Sequence, residues 1–319
     1  MSAILGTGKF TYEALDHWEE VPDGVRLMNV PGVAVSSLGE ILVLTRNPDH
    51  PVMVFNAGGE LLREFGKGVL TDLTHGISVD QDDMVYCVDI RTHTITKFTP
   101  EGVLLMTLGT PGHPSTQWGG KPFHAPTHAA VSPSTGNIYV TDGYGNHRVH
   151  KFSADGELLM SWGEPGIDGG QFLCPHNIAI DSDERVYVAD REAHRVQVFD
   201  GDGRFITMFN NIYRPDGLAF GPDGNLYIGE LNGLTGMEAV PGLGHRITIL
   251  SPKGKLLARF GDPEEGEEPG KFIAPHGIAV DAHGDIYVGE VARNMLGIRG
   301  LKLDPDREVK ALKKLRKVR

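Results

Sequence analysis

Cysteine is scarce in this chain: only Cys87 and Cys174 occur among 319 residues. Two thiols make no disulfide framework, and their scarcity points to a reducing, cytoplasmic compartment. No run approaches the ~18 consecutive apolar residues of a membrane-spanning helix, and Met1 to Tyr12 has no apolar core of signal-peptide length. Positive charge is also short, with a formal net charge of −12. Electrostatic affinity for nucleic acid or an anionic membrane comes from basic patches, so neither is an expected partner. The one basic run, Lys310 to Arg319, is expected to be a solvated edge strand or tail. The chain lacks a phosphate-binding glycine loop and a serine nucleophile elbow.

Glycine and proline, by contrast, number 42 and 20 and are spread evenly, which predicts many short strands joined by tight turns. The strands repeat. CPHNIAID (Cys174 to Asp181) is followed by RVYVAD (Arg185 to Asp190), HRVQVFD (His194 to Asp200) and GRFITMF (Gly203 to Phe209). The same four-strand unit recurs at approximately 26–66, 69–109, 122–163, 172–209, 212–261 and 272–319, with an insertion around Leu231 to Gly244. A period of roughly 40–50 residues built from alternating apolar strands predicts a propeller, whose radial repetition leaves few open sheet edges. The fold class expected is all-β: one six-bladed β-propeller over residues 1–319. Phe10 to Ala14 reads as a strand and the last unit is irregular, so the N-terminal segment, about 8–18, is expected to complete blade six. The units resemble NHL repeats over roughly 26–290.

Aligning the six inner strands at the residue after the opening proline puts Pro31, His75, Thr127, His176, Asp216 and His276 at one phase. Histidine stands in blades two, four and six, with spacings of 101 and 100 residues. Alternate members of a six-fold ring are related by a pseudo-three-fold axis, so the three imidazoles converge on an axial point. A lone histidine would read as a structural residue; three at one repeat phase read as a metal site. Neutral imidazoles with an open position suit zinc, iron or another divalent first-row ion, and disfavour calcium at that point. Asp216 shares the phase and could serve as ligand, base or turn cap. His128 lies one step past it, so a strand would turn it to the other side. Cys174 reads as a packing residue, and His50, His124 and His150 fit no pattern.

The loop after strand two carries Thr45, Asp89, Asp142, Asp190, Glu230 and Glu290 at one position. These carboxylates read as structural acceptors of backbone N–H groups in the turn. The next residue is Arg46 in blade one and Arg191 in blade four, and Gly143-Tyr144 stands there in blade three. Two arginines and a tyrosine therefore project from the histidine face. A cationic neighbour favours phenolate, which is expected to lower the Tyr144 pKa from about 10, and an arginine fork matches a substrate carboxylate.

The stretch PFHAPTHAAVSPSTGNIYVTDGYGNHRVHKFSADGELLMSWGEPG, followed by CPHNIAID and VADREAHRVQVF, resembles the catalytic core of the peptidyl-α-hydroxyglycine α-amidating lyase family, and the similarity extends over nearly the whole chain. The resemblance implies zinc on His75, His176 and His276, a catalytic Tyr144, and active-site Arg46 and Arg191. It implies a metal-dependent lyase that cleaves the C–N bond of a small N-acyl-α-hydroxyglycine-like carbinolamide to amide and glyoxylate, acting on a small molecule with a carboxylate and an α-hydroxyl. The chain also departs from the family. Gly277 replaces the aspartate used for structural calcium, which argues against that ion, and Ala274 replaces a methionine. His124, Gly145, Tyr187 and Val198 stand at positions of the secreted members' disulfides. Two alternatives stay open: a metal-dependent hydrolase of a lactone or amide on the same face, and a non-enzymatic NHL binding propeller.

Overall fold

Each sequence repeat becomes one antiparallel sheet. The computed structural model describes residues 2–233, 240, 242–304 and 306–318. Five sheets contain four strands in chain order. Blade four is representative, with Pro175–Ile180 innermost, then Val186–Asp190, Arg195–Phe199 and Phe205–Phe209. The first strands of successive blades touch in a closed ring, the last, Pro275–Val280, against Gly32–Val35 of the first blade. The protein is a six-bladed β-propeller, and its one α-helix among the described residues is Ala292–Ile298. No helix is long and apolar enough to cross a membrane among those residues.

The core is divided among the interfaces between blades. Leu42, Leu44, Val52, Val54 and Phe65 of blade one, for example, pack on Ile77, Val85, Cys87 and Phe98 of blade two. This arrangement follows from strands that are apolar on both faces, since each sheet has a neighbour on either side.

The sixth sheet shows how the ring closes. Its order runs Ala3–Thr7, Phe10–Ala14, Leu312–Lys317, Ile286–Glu290, Pro275–Val280. Phe10–Ala14 thus supplies the fourth strand, as the sequence suggests, and Ala3–Thr7 adds a fifth. The basic C-terminal run is not a solvated edge or tail. Leu312–Lys317 is an internal strand, and Lys313 and Lys314 are buried. Lys313 Nζ lies 3.1 Å from Glu290 Oε1 but donates its hydrogen bonds to the carbonyls of Gly266 and Lys271. Lys314 Nζ pairs with Asp285 at 3.4 Å. Burial of these ammonium groups is possible because acceptors from other loops meet them, a circumstance local charge density does not reveal. The expected insertion at Leu231 to Gly244 lies in part outside the described residues, as does Arg319.

Candidate metal centre

The segments that lead into the inner strands are held by the acidic position at the end of strand two. Asp190 Oδ1 accepts the N–H groups of Leu173 (2.9 Å) and Cys174 (2.8 Å), and Glu290 Oε2 accepts those of Ile273 and Ala274 at 2.6 and 2.7 Å. Asp89 accepts Thr71 N–H at 2.7 Å and also Arg91 N–H in its own turn at 2.9 Å. The carboxylates are therefore structural, but they clamp the incoming loop more than the turn that contains them. The clamp fixes where each opening residue and the following histidine begin.

His75, His176 and His276 then meet on the axis. Their ring centroids form a near-equilateral triangle with sides of 4.7, 4.7 and 4.8 Å. One nitrogen from each lies within 4.8 Å of the others, and all three residues are buried. Each Nδ1 faces a backbone carbonyl of the next blade: Thr127 O at 2.7 Å, Asp216 O at 3.0 Å and Pro31 O at 2.6 Å. Those carbonyls belong to the three odd-blade residues of the same phase. A carbonyl only accepts, so Nδ1 carries the proton and the Nε2 lone pair is left for a ligand, the usual outer-shell arrangement of metal-bound imidazole. Burial lowers the pKa of all three rings, that of His276 to about 3, so they are neutral near pH 7. The donor set fits a divalent first-row ion: three neutral nitrogens with locked tautomers and a side left open to Tyr144.

Tyr144 sits over the triangle. Its hydroxyl is 2.9 Å from His75 Nε2 and 3.1 Å from His176 Nε2, and it accepts a hydrogen bond from Arg191 Nη1 at 3.3 Å. Gly143 permits this approach, because a Cβ there would lie 2.2 Å from Pro175 O. The expected lowering of the phenol pKa is not found. Burial raises it above the ordinary value, and this outweighs the opposing pull of Arg191. The two arginines differ. Arg191 donates to Glu192 Oε1 from Nε (2.8 Å) and to Asp216 Oδ1 from Nη1 (3.2 Å), and it stays charged, with its pKa well above the usual value. Arg46 donates from Nε to Thr74 O at 3.2 Å and has no ion-pair partner among the described residues. Its burial lowers its pKa, and it lines a cleft of about 550 Å³ beside the helix Ala292–Ile298.

The remaining sequence candidates divide. Asp216 joins the site, with Oδ1 2.8 Å from His176 Nδ1. His128 does not turn away from the axis. It lines the axial channel of about 270 Å³ together with Asn177, its ring resting where a side chain on Gly76 would be. Cys174 is buried and its thiol is pushed up to about 12 by burial, which suits packing and not nucleophilic attack. His50 pairs with Glu64, His124 with the Ser115 carbonyl, and His150 with Ser161 and Asp142. A Cβ at Gly277 would lie 2.6 Å from Gly32 Cα, so the position has no room for the carboxylate that a calcium site there would need. Sequence reasoning missed Glu192. Its only signal was its place directly after Arg191.

The description NHL repeat matches residues 123–152 and 172–199. Mouse NHL repeat-containing protein 3 is 34% identical over 281 residues, which cover 83% of this chain and 77% of that protein. Peptidyl-alpha-hydroxyglycine alpha-amidating lyase 1 of Drosophila melanogaster is 31% identical over 256 residues, 74% of this chain and 46% of that protein. The chain spans 61% of human NHL repeat-containing protein 3 and 24% of rat peptidylglycine alpha-amidating monooxygenase. A solved streptogramin B lyase shares the fold, with a TM-score of 0.61, 15% identity and 95% and 96% of the two chains covered.

Proposed function

From the premise that this chain belongs to the NHL-repeat protein family, we propose that it is a metal-dependent lyase acting on a small carbinolamide, an N-acyl-α-hydroxyglycine or close analogue. One observation carries the reading: the Tyr144 hydroxyl lies 2.9 and 3.1 Å from Nε2 of two histidines of the buried triad, with Arg191 at 3.3 Å. The similarity to the Drosophila amidating lyase supports the choice of reaction. The two unpaired, buried cysteines support a cytoplasmic setting.

His75, His176 and His276 would hold the ion through Nε2. Bound there, a divalent ion supplies positive charge that lowers the pKa of the substrate hydroxyl and of the neighbouring phenol. Tyr144, as phenolate, takes the hydroxyl proton. The oxygen electrons form the new C=O, the C–N bond breaks towards nitrogen, and the proton held by Tyr144 passes to that nitrogen. The products are a primary amide and glyoxylate, with no net gain or loss of protons. Arg191 would assist the ion in favouring the phenolate, although by itself it is outweighed by burial, and it is itself neutralised by Asp216 and Glu192. Arg46, with no ion-pair partner among the described residues, would receive the substrate carboxylate.

The test is direct. Zinc-loaded protein mixed with N-benzoyl-α-hydroxyglycine should release glyoxylate and benzamide in equal amounts, and Tyr144→Phe should lose most of that turnover. Absence of glyoxylate with wild-type protein, together with lactone hydrolysis that survives Tyr144→Phe, would replace the lyase by a hydrolase.

A further inference from the structure

The three histidines are alike in sequence phase but not in surroundings. His75 and His276 meet only a backbone carbonyl at Nδ1, from Thr127 and Pro31. His176 meets the Asp216 carbonyl at 3.0 Å and, closer, its carboxylate at 2.8 Å. The same Oδ1 accepts from Arg191 Nη1 at 3.2 Å. Arg191 Nη1 donates also to Tyr144 at 3.3 Å, and the Tyr144 hydroxyl lies 3.1 Å from His176 Nε2. These contacts form a closed circuit through the imidazole: His176, Asp216, Arg191, Tyr144 and back to His176.

Asp216 is fully buried, and its second oxygen has no hydrogen-bond partner. Burial of a half-satisfied carboxylate is unfavourable unless strong partners hold it. A residue needed only to present its backbone carbonyl to His176 would not require the charge. Pro31 and Thr127 perform that task at the equivalent positions without a carboxylate.

We propose that Asp216 is a positioning residue of this site: one carboxylate oxygen ties the ion-facing His176 to Arg191, so the imidazole and the guanidinium are set against Tyr144 together. This rests on the lyase reading for its catalytic consequence, but not for its effect on the ion. Glu192 provides the comparison. It grips the other side of Arg191, at Nε, and bridges to Arg214 Nη2 at 2.8 Å, but it touches none of the three histidines.

Asp216→Asn keeps the size and removes the charge. Chelator competition should show zinc held about 10–100-fold more weakly than by wild type, the range for loss of an outer-shell partner. The visible spectrum of the cobalt-substituted protein should shift. Glu192→Gln should leave both unchanged while lowering kcat. On the carbinolamide, Asp216→Asn should lower kcat with little change in KM, and combining it with Arg191→Lys should cost less than the two effects multiplied. Thermal melting of each variant separates these effects from loss of fold. If Asp216→Asn does not fold, Asp216→Ser, also uncharged, carries the same comparison. Wild-type zinc affinity with an unaltered cobalt spectrum, or strictly multiplicative kinetic effects, would overturn the proposal. Should wild-type protein turn over no carbinolamide, the lyase reading falls and the affinity and cobalt measurements still decide the role of Asp216.

Discussion

His276 Nδ1 donates to Pro31 O at 2.6 Å, joining the last inner strand to the first across 245 residues of sequence. The innermost layer of the ring and the histidine triad it carries therefore depend on each other. The outer layer closes separately, by pairing of Phe10–Ala14 with Leu312–Lys317. Phe10, Tyr12 and Ala14 bury against Tyr227, Ile247 and Phe260 of blade five and Ile286 and Leu315 of blade six.

Phe10→Ala is expected to destabilise the protein by about 3–5 kcal/mol, the usual cost of truncating a buried aromatic. Urea unfolding should show a lower midpoint with an unchanged slope. A midpoint within error of wild type would mean that the N-terminal strand contributes little to closure.

Protein purified without added metal should contain about one equivalent of a divalent first-row ion, and His75→Ala should contain little. Elemental analysis reads this directly. His128→Ala serves as the control, because His128 lines the channel and does not belong to the triad. Equal metal in wild type and His75→Ala would remove the centre.

Much of this site was legible because a propeller converts sequence phase into position. His75, His176 and His276 could be placed on one axis from their shared place in the repeat, and Arg46, Tyr144 and Arg191 on one face from the loop that carries them. Departures arose where the deciding partner is distant in sequence. Lys313 reads as a solvated charge until Glu290, Gly266 and Lys271 are seen around it. His128 borders the channel together with Asn177, its ring occupying the space over Gly76, a contact with another blade that strand phase does not reveal. The Tyr144 pKa depends on burial, which the adjacent arginine outlines only in part. The link from Asp216 to Arg191 joins the inner strand of blade five to the turn after strand two of blade four, and no local motif announces it.

Acid should destabilise the metal-free protein. The folded state keeps His75, His176 and His276 neutral, with His276 titrating only at about 3 because of its burial. Unfolded histidine titrates near ~6.5. Between those values the unfolded state binds more protons, so stability rises with pH and is lost as pH falls below about 6.5. His128, lowered to about 4 by burial, acts in the same sense. Asp216 adds to the trend at lower pH. Burial would raise its pKa, but His176, His276 and Arg191 hold it well below the ordinary carboxylate range. Its contribution is therefore lost only as pH falls below ~4, where the unfolded carboxyl protonates. Melting temperatures of metal-free protein should drop between pH 7.5 and pH 5. A flat profile over that interval would show that the three rings are not buried as neutral groups.

The two arginines should separate kinetically. Arg46 has its side-chain hydrogen bond to Thr74 O and no carboxylate in ion-pair reach among the described residues, so it is placed to take an anion from outside. Arg191 is already engaged by Asp216, Glu192 and Tyr144. Arg46→Lys keeps the charge but loses the fork, and it should raise KM for a carbinolamide carboxylate by about tenfold or more while kcat changes little. The amide-capped analogue, which lacks the carboxylate, should be handled equally poorly by wild type and Arg46→Lys. Arg191→Lys should lower kcat by about a hundredfold with a small effect on KM, because its partner Tyr144 is the group proposed to move the proton. Reversal of this pattern, with KM following Arg191 and kcat following Arg46, would exchange the two roles and place the substrate carboxylate on the blade-four side of Tyr144.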